Sequence, residues 1–188
     1  MDQVRAVVLV EGVSDKVALE TLAVRRGRDL AAEGVSVVAI GGAQAIGRFL
    51  GLYGPQGSNV RLSGFCDRGE EGAFRRALER AGLGVDLDRA AMERLGFFVC
   101  DRDLEDELIR SLGVAAVEAI FAAHGKLGSF RTYQKQPAHR GRATEEQLRG
   151  FLTNWKIYLA APLVEALDLA CVPRPLDGVL AHVGSADA

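Results

Sequence analysis

Glu11 and Asp15 stand four residues apart, directly after an unbroken apolar run at residues 6–10 (AVVLV) and beside Lys16. An apolar strand delivers such a carboxylate to a weakly solvated sheet edge, where it is costly unless it is paired or binds a cation. The same arrangement recurs twice. Residues 60–66 (VRLSGFC) run into Asp67, with Glu70 and Glu71 close behind, and residues 96–100 (GFFVC) run into the acidic stretch DRDLEDE at 101–107. Carboxylates gathered without histidine or cysteine make a hard, oxygen-only donor set, which suits Mg2+ or Mn2+ better than zinc. Such ions most often serve phosphate chemistry: they neutralise the phosphate and lower the pKa of an attacking water.

For these acids to share one site, the apolar runs must be neighbouring strands of one sheet. Runs at 6–10, 35–40, 60–66 and 96–100 alternate with helical patterns at 14–32, 43–52, 70–81 and 86–94. That alternation indicates βα units, a mainly parallel sheet of about four strands flanked by helices, and right-handed connections. Ligands of open sheets bind outside the carboxyl ends of the strands. One acid there is unremarkable, whereas acids after three of about four strands imply a shared site. Ser14 reads as the N-cap of the first helix. Gly41 and Gly42 read as a tight turn with backbone N–H groups near the site, since GGAQAIG lacks the GxGxxG of a dinucleotide fold. Within 101–107, Asp106 and Glu107 suit a solvated helix start, and Asp103 lies nearer the strand.

Beyond residue 112 the chain changes character. A helix is expected at 114–124, then a basic irregular stretch at 125–143 with Lys126, Arg131, Lys135, Arg140 and Arg142 and no Asp or Glu. Phe130 and Tyr133 mix aromatic surface into that charge, as single-strand nucleic-acid contacts do; a solvated flexible segment fits the same residues equally well. Thr144 to Gln147 resembles a capping box. A helix at 155–169 contains Pro162, which kinks or divides it, a last short helix follows Pro173 and Pro175, and 185–188 is expected to fray. Lys156, read alone, is a helix lysine whose stem lies on apolar surface beside Trp155. The division that results is an α/β core at 1–112 and a helical extension at 113–188 packed on it.

Bulk properties narrow the classes. The 188 residues, 48% hydrophobic and 26% charged with net charge −2, suit one soluble domain with an extension and point to neither an acidic nor a basic partner. No apolar run reaches membrane-span length and no signal-peptide order opens the chain, so a cytoplasmic protein is expected. Cys66, Cys100 and Cys171, the last placed in a late helix, show no CxxC or Cys/His spacing and read as reduced, partly buried thiols.

Taken in order, VLVEGVSDK at 8–16, the Gly41-Gly42 turn, CDRGEE at 66–71 and FFVCDRDLEDEL at 97–108 resemble a Toprim domain. This is the metal-dependent module shared by topoisomerases, primases and several nucleases. More narrowly, the chain resembles the Toprim half of the OLD (overcoming lysogenization defect) family nucleases over nearly its whole length. The resemblance implies a Toprim, Rossmann-like fold and a Mg2+- or Mn2+-dependent nuclease that hydrolyses phosphodiesters of DNA. It makes Glu11 a metal ligand and candidate general base, Asp15 and Asp67 further ligands, and Asp103 and Glu105 the acids of a third motif. Lys156 falls where the family has a lysine positioned for the scissile phosphate.

Two departures matter. Asp67-Arg68-Gly69 puts glycine where the family's DxD motif has its second acid, so either Glu70 or Glu71 supplies that carboxylate or a second metal is weakly held. No GxxxxGK[ST] phosphate loop occurs in the 188 residues, so ATP-coupled behaviour calls for a separate ATPase partner. The rival expectation is a non-catalytic metal- or nucleic-acid-binding module that works with such a partner. RNA and small phosphoesters remain open as substrates, and strand passage is set aside because no Tyr-bearing cleavage domain is present.

Overall fold

A computed structural model describes residues 4–184; the tail at 185–188 lies outside the described residues. The run 6–10 is buried along its whole length because β1 (Ala6–Val10) is an inner strand. It pairs in parallel with β2 (Val35–Ala39) on one side and β3 (Arg61–Cys66) on the other, and β4 (Phe97–Val99) adds to β3, giving the order β2-β1-β3-β4. Val8 lies opposite Val37 and Ser63. All four strands therefore end at the same edge.

Successive β1 side chains point to opposite faces, so each face of the sheet carries its own apolar cluster. Val7 and Leu9 pack with Ile46, Leu50, Phe74, Leu78 and Met92 of α2 (Ile46–Tyr53), α3 (Glu71–Arg80) and α4 (Arg89–Arg94). Ala6, Val8 and Val10 pack under α1 (Val13–Arg25), α5 (Leu104–Leu112), α6 (Val114–Ala123), α7 (Leu127–Lys135), α8 (Thr144–Leu152), α9 (Lys156–Glu165) and α10 (Arg174–Gly184). Helices from residue 114 onward thus share one apolar cluster with β1 and α1. Helix α1 packs most extensively against α9. Arg25 Nη1 donates to the Val164 and Leu167 carbonyls, both at 2.8 Å, at the end of α9 where helical carbonyls lack partners.

Several local expectations need correction. The N-cap of α1 is Gly12, extended at φ −135°, and Ser14 is buried inside the first turn. The helix stops at Arg25, short of residue 32, because Gly27 turns left-handed at φ 70°. The stretch 125–143 is not irregular throughout, since Leu127 and Phe130 fall three apart on a face that packs against Phe121 and Phe151 and so wind α7. Thr144 opens α8 rather than capping it; the Gln147 side chain is taken up by Gln134 and the His139 carbonyl, both at 2.8 Å, and closes no capping box. Helix α9 continues through Pro162. Cys171 sits exposed in the bend before α10, whereas Cys66 and Cys100 are buried free thiols. Among the described residues no helix is long and apolar enough to cross a membrane.

Strand β3 can lie against β1 only because residue 64 has no side chain. A Cβ there would stand 2.3 Å from the Leu9 carbonyl oxygen and 3.3 Å from the Phe97 ring. Gly64→Val is therefore expected to destabilise the fold by about 3 kcal/mol. Urea unfolding measures this, and a parent-like midpoint would contradict the β1–β3 register.

Candidate metal and phosphate site

Each acid named from the sequence arrives at the carboxyl edge by a short route. Glu11 follows the last residue of β1, and Asp15 lies in the first turn of α1, where its Oδ2 accepts the Gly12 N–H at 2.8 Å. Asp67 follows β3, and Glu70 ends the short 3-10 turn Arg68–Glu70. Asp103 caps α5 and Glu105 stands in its first turn. Lys156 opens α9. Gly41 and Gly42, at φ 76° and 111°, direct both backbone N–H groups to the Glu11 carbonyl at 3.1 Å. These amides fix the main chain of Glu11 and are not left over for a ligand.

The electrostatics show the acids to be one neighbourhood. Burial pushes the Asp67 carboxyl up to about 7, and the like charges of Glu11, Asp103, Asp15 and Glu105 add to it. Asp15 is pushed up to about 6, mainly by burial; the Gly12 N–H and Lys156 oppose the rise, while Glu105 and Glu11 add to it. Burial likewise holds Glu11 above the usual range, with Glu70 raising it and Lys156 lowering it. Glu105 is raised by burial and Asp103, against its own backbone N–H, Lys156 and Arg149. Of the two candidates for the missing second acid, Glu70 acts on Glu11, whereas Glu71 is held by Arg89 at 2.6 Å.

Asp103 differs from the other acids because it is already partnered. Its Oδ1 accepts the Asp106 N–H at 2.8 Å, and its Oδ2 takes Arg149 Nε at 2.5 Å together with Nη2. Arg149 did not emerge from the sequence, because nothing local links a residue in the middle of α8 to an acid 46 positions earlier. The remaining acids of 101–107 form a separate network. Arg110 binds Asp106 at 3.0 Å and Glu107 at 2.8 Å, and Glu107 also accepts the Asp101 N–H at 2.8 Å.

The basic residues of 125–143 are placed otherwise. Lys126 lies over the Trp155 ring, 3.6 Å from its centroid. Arg131 binds Glu118 at 2.6 Å, and Arg140 donates to the Lys135 carbonyl at 3.1 Å. Lys135 and Arg142 are exposed. Phe130 is buried in the core, and Tyr133 is stacked on His139 at 3.7 Å. The cations that act most strongly on the acids are Lys156 and Arg149.

Among the described residues no three of Asp, Glu, His or Cys form a ready-made metal cage. The acids act on one another electrostatically without converging on one point. Their chemistry nevertheless fits a hard divalent cation: the donors are all oxygen, four are raised by burial and like charge, and the buried Glu11 Oε2 has no hydrogen-bond partner among the described residues.

That crowding has a sign. Asp15 and Asp67 keep their protons in the folded chain at pH values where the unfolded chain has released them. Their contribution to stability is therefore full below about pH 4 and is lost as pH rises through about 6 to 7. In EDTA at pH 8, Asp67→Asn is expected to melt a few degrees above the parent, about 1 kcal/mol after solvent screening, with the advantage gone at pH 5. Mn2+ at pH 8 should raise the parent's midpoint more than the variant's. Equal midpoints in EDTA at pH 8 would contradict the crowding.

Residues 4–63, which include Glu11 and Asp15, match the sequence family described as overcoming lysogenization defect protein-like, TOPRIM domain. Solved C-terminal regions of OLD proteins share the fold. That of Xanthomonas campestris pv. campestris superposes with a TM-score of 0.75 at 22% identity, over 95% of this chain and 91% of that one. The corresponding region from Burkholderia pseudomallei gives 0.73 at 18% identity, over 96% and 97%. A second structure of the Xanthomonas region gives 0.71 at 25% identity, over 95% and 94%. No curated protein matches the chain. Residues 4–63 thus match the OLD-like TOPRIM family, and the chain as a whole has the fold of the OLD protein C-terminal region.

Proposed function

We propose that the chain is a Mg2+- or Mn2+-dependent phosphodiesterase that hydrolyses DNA. The observation that carries this reading is the pairing of opposites at the edge. Lys156 acts on Glu11, Asp15 and Glu105, yet among the described residues it forms no ion pair, while Glu11 Oε2 is buried without a partner. A cation whose charge acts on three acids and is bound to none of them supports a role toward a phosphate.

Glu11, Asp15 and Asp67 would hold the cation, with Glu70, Asp103 and Glu105 available to a second. When bound, the metal supplies neutralisation of the phosphate and a lowered pKa for water. Glu11, its proton affinity raised by burial, takes the proton of the attacking water at Oε2. Lys156 places its ammonium against the charge that develops on the phosphate oxygens. Asp103 must loosen from Arg149 before it can serve a metal, and Gly69 contributes no carboxylate. Both features weaken the second position. They also support the alternative of a non-catalytic metal- or nucleic-acid-binding module acting with a separate ATPase.

Supercoiled plasmid incubated with Mn2+, Mg2+ or EDTA separates the two. Nicking is expected with either metal and not in EDTA. Glu11→Gln and Lys156→Ala should each lower the rate about a hundredfold while a cooperative melting transition shows the protein still folded. Intact plasmid beside a folded, metal-binding protein would select the module.

A further inference from the structure

The aromatic surface that the 125–143 stretch was expected to offer lies elsewhere, around the start of α9. Ile157 and Tyr158 are 58% and 55% exposed, two of the few large apolar side chains left in water. Trp155 precedes them, its ring tilted 66° to Tyr158 at 6.4 Å. From the turn between α6 and α7, His124 meets Tyr158 edge-on at 5.9 Å, and Lys126 Nζ stands 3.6 Å from the Trp155 centroid and 5.3 Å from that of Tyr158. Lys126 forms no ion pair among the described residues, and helix α9 carries no acid before Glu165.

We propose that this surface docks single-stranded nucleic acid, with a base stacked on Tyr158 and the neighbouring phosphates met by Lys126 and Lys156. The proposal rests on the nuclease reading for the role of Lys156 and adds the strandedness of the substrate. Lys156 and Tyr158, two residues apart, leave the head of one helix on different sides, so a strand wrapped over that head would meet the lysine with one nucleotide and the ring with a following one. Every base has a face to stack, so such a platform holds a strand whatever its sequence. In a duplex those faces are already covered by neighbouring bases, so an exposed ring selects the unpaired strand. Lys126, held over the indole, keeps its charge beside the platform without a carboxylate to neutralise it. A protein partner would bury Ile157 and Tyr158 equally, but the two unpaired lysines match a phosphate backbone.

Trp155 is the only tryptophan of the chain and is a native reporter of this surface. In the Glu11→Gln background with Mg2+, its emission is followed while oligo-dT, oligo-rU or a duplex of equal length is added. Either single strand is expected to quench it and to bind at least tenfold tighter than the duplex at the same salt. Tyr158→Ala should weaken that binding about tenfold, Tyr158→Phe should retain it, and Lys126→Ala should weaken it and flatten its salt dependence, with melting temperatures confirming that all three are folded. Unchanged single-strand binding by folded Tyr158→Ala, equal affinity for the duplex, or no binding of either single strand would overturn the proposal. A parent chain that nicks plasmid without binding single strands loses the platform and keeps the nuclease. Quenching and tight single-strand binding without nicking keep the platform and remove the nuclease.

Discussion

Carboxylates crowded at one sheet edge, with too few hydrogen bonds to hold them ionised, are the constraint on which the rest of this structure depends. A parallel sheet ends all its strands on one side, so Glu11, Asp67 and Asp103 have no means of separating. Burial raises the acids further, and the Gly12 and Glu105 N–H groups, Lys156 and Arg149 oppose the rise. Such a site is intrinsically unstable without protons or a cation. The rest of the fold offsets that cost through two apolar clusters, one on each face of β1.

The two cations at the edge have different standing. Arg149 is spent on Asp103, gripping one carboxylate oxygen while the other caps α5, so this acid is fixed by hydrogen bonds. Lys156 is unspent and exposed. Glu11 is likewise held by its main chain alone: Gly41 and Gly42 grip its carbonyl, and its side chain is left with an unpartnered oxygen. A fixed backbone thus carries a Glu11 carboxylate whose proton affinity the Lys156 charge lowers.

The sheet and its acids were legible because both signals are local. A run of five buried residues followed at once by an acid, as in Val10 to Glu11, needs no knowledge of distant chain. Helix α7 was obscured because Lys126, Arg131 and Lys135 dominate the composition there, while Leu127 and Phe130, which decide the conformation, are only two residues. Ser14 misled for a related reason. Serine is a good cap, but here the Gly12 N–H already closes on Asp15, so the turn begins two residues sooner. The Asp103–Arg149 and Lys126–Trp155 contacts join separate helices and become visible only once those helices pack.

The closeness of α1 and α9 has a consequence for how the site comes into being. The acids all belong to the first 105 residues, whereas Arg149, Lys156 and the α9 face that covers α1 come much later. A chain made from its N-terminus therefore presents its negative edge well before the positive groups that balance it. Arg25 waits for the Val164 and Leu167 carbonyls, which join α1 to the end of α9. The charge balance of the site is thus completed only once α9 has been made, and a nascent chain short of α9 holds the acids without their lysine.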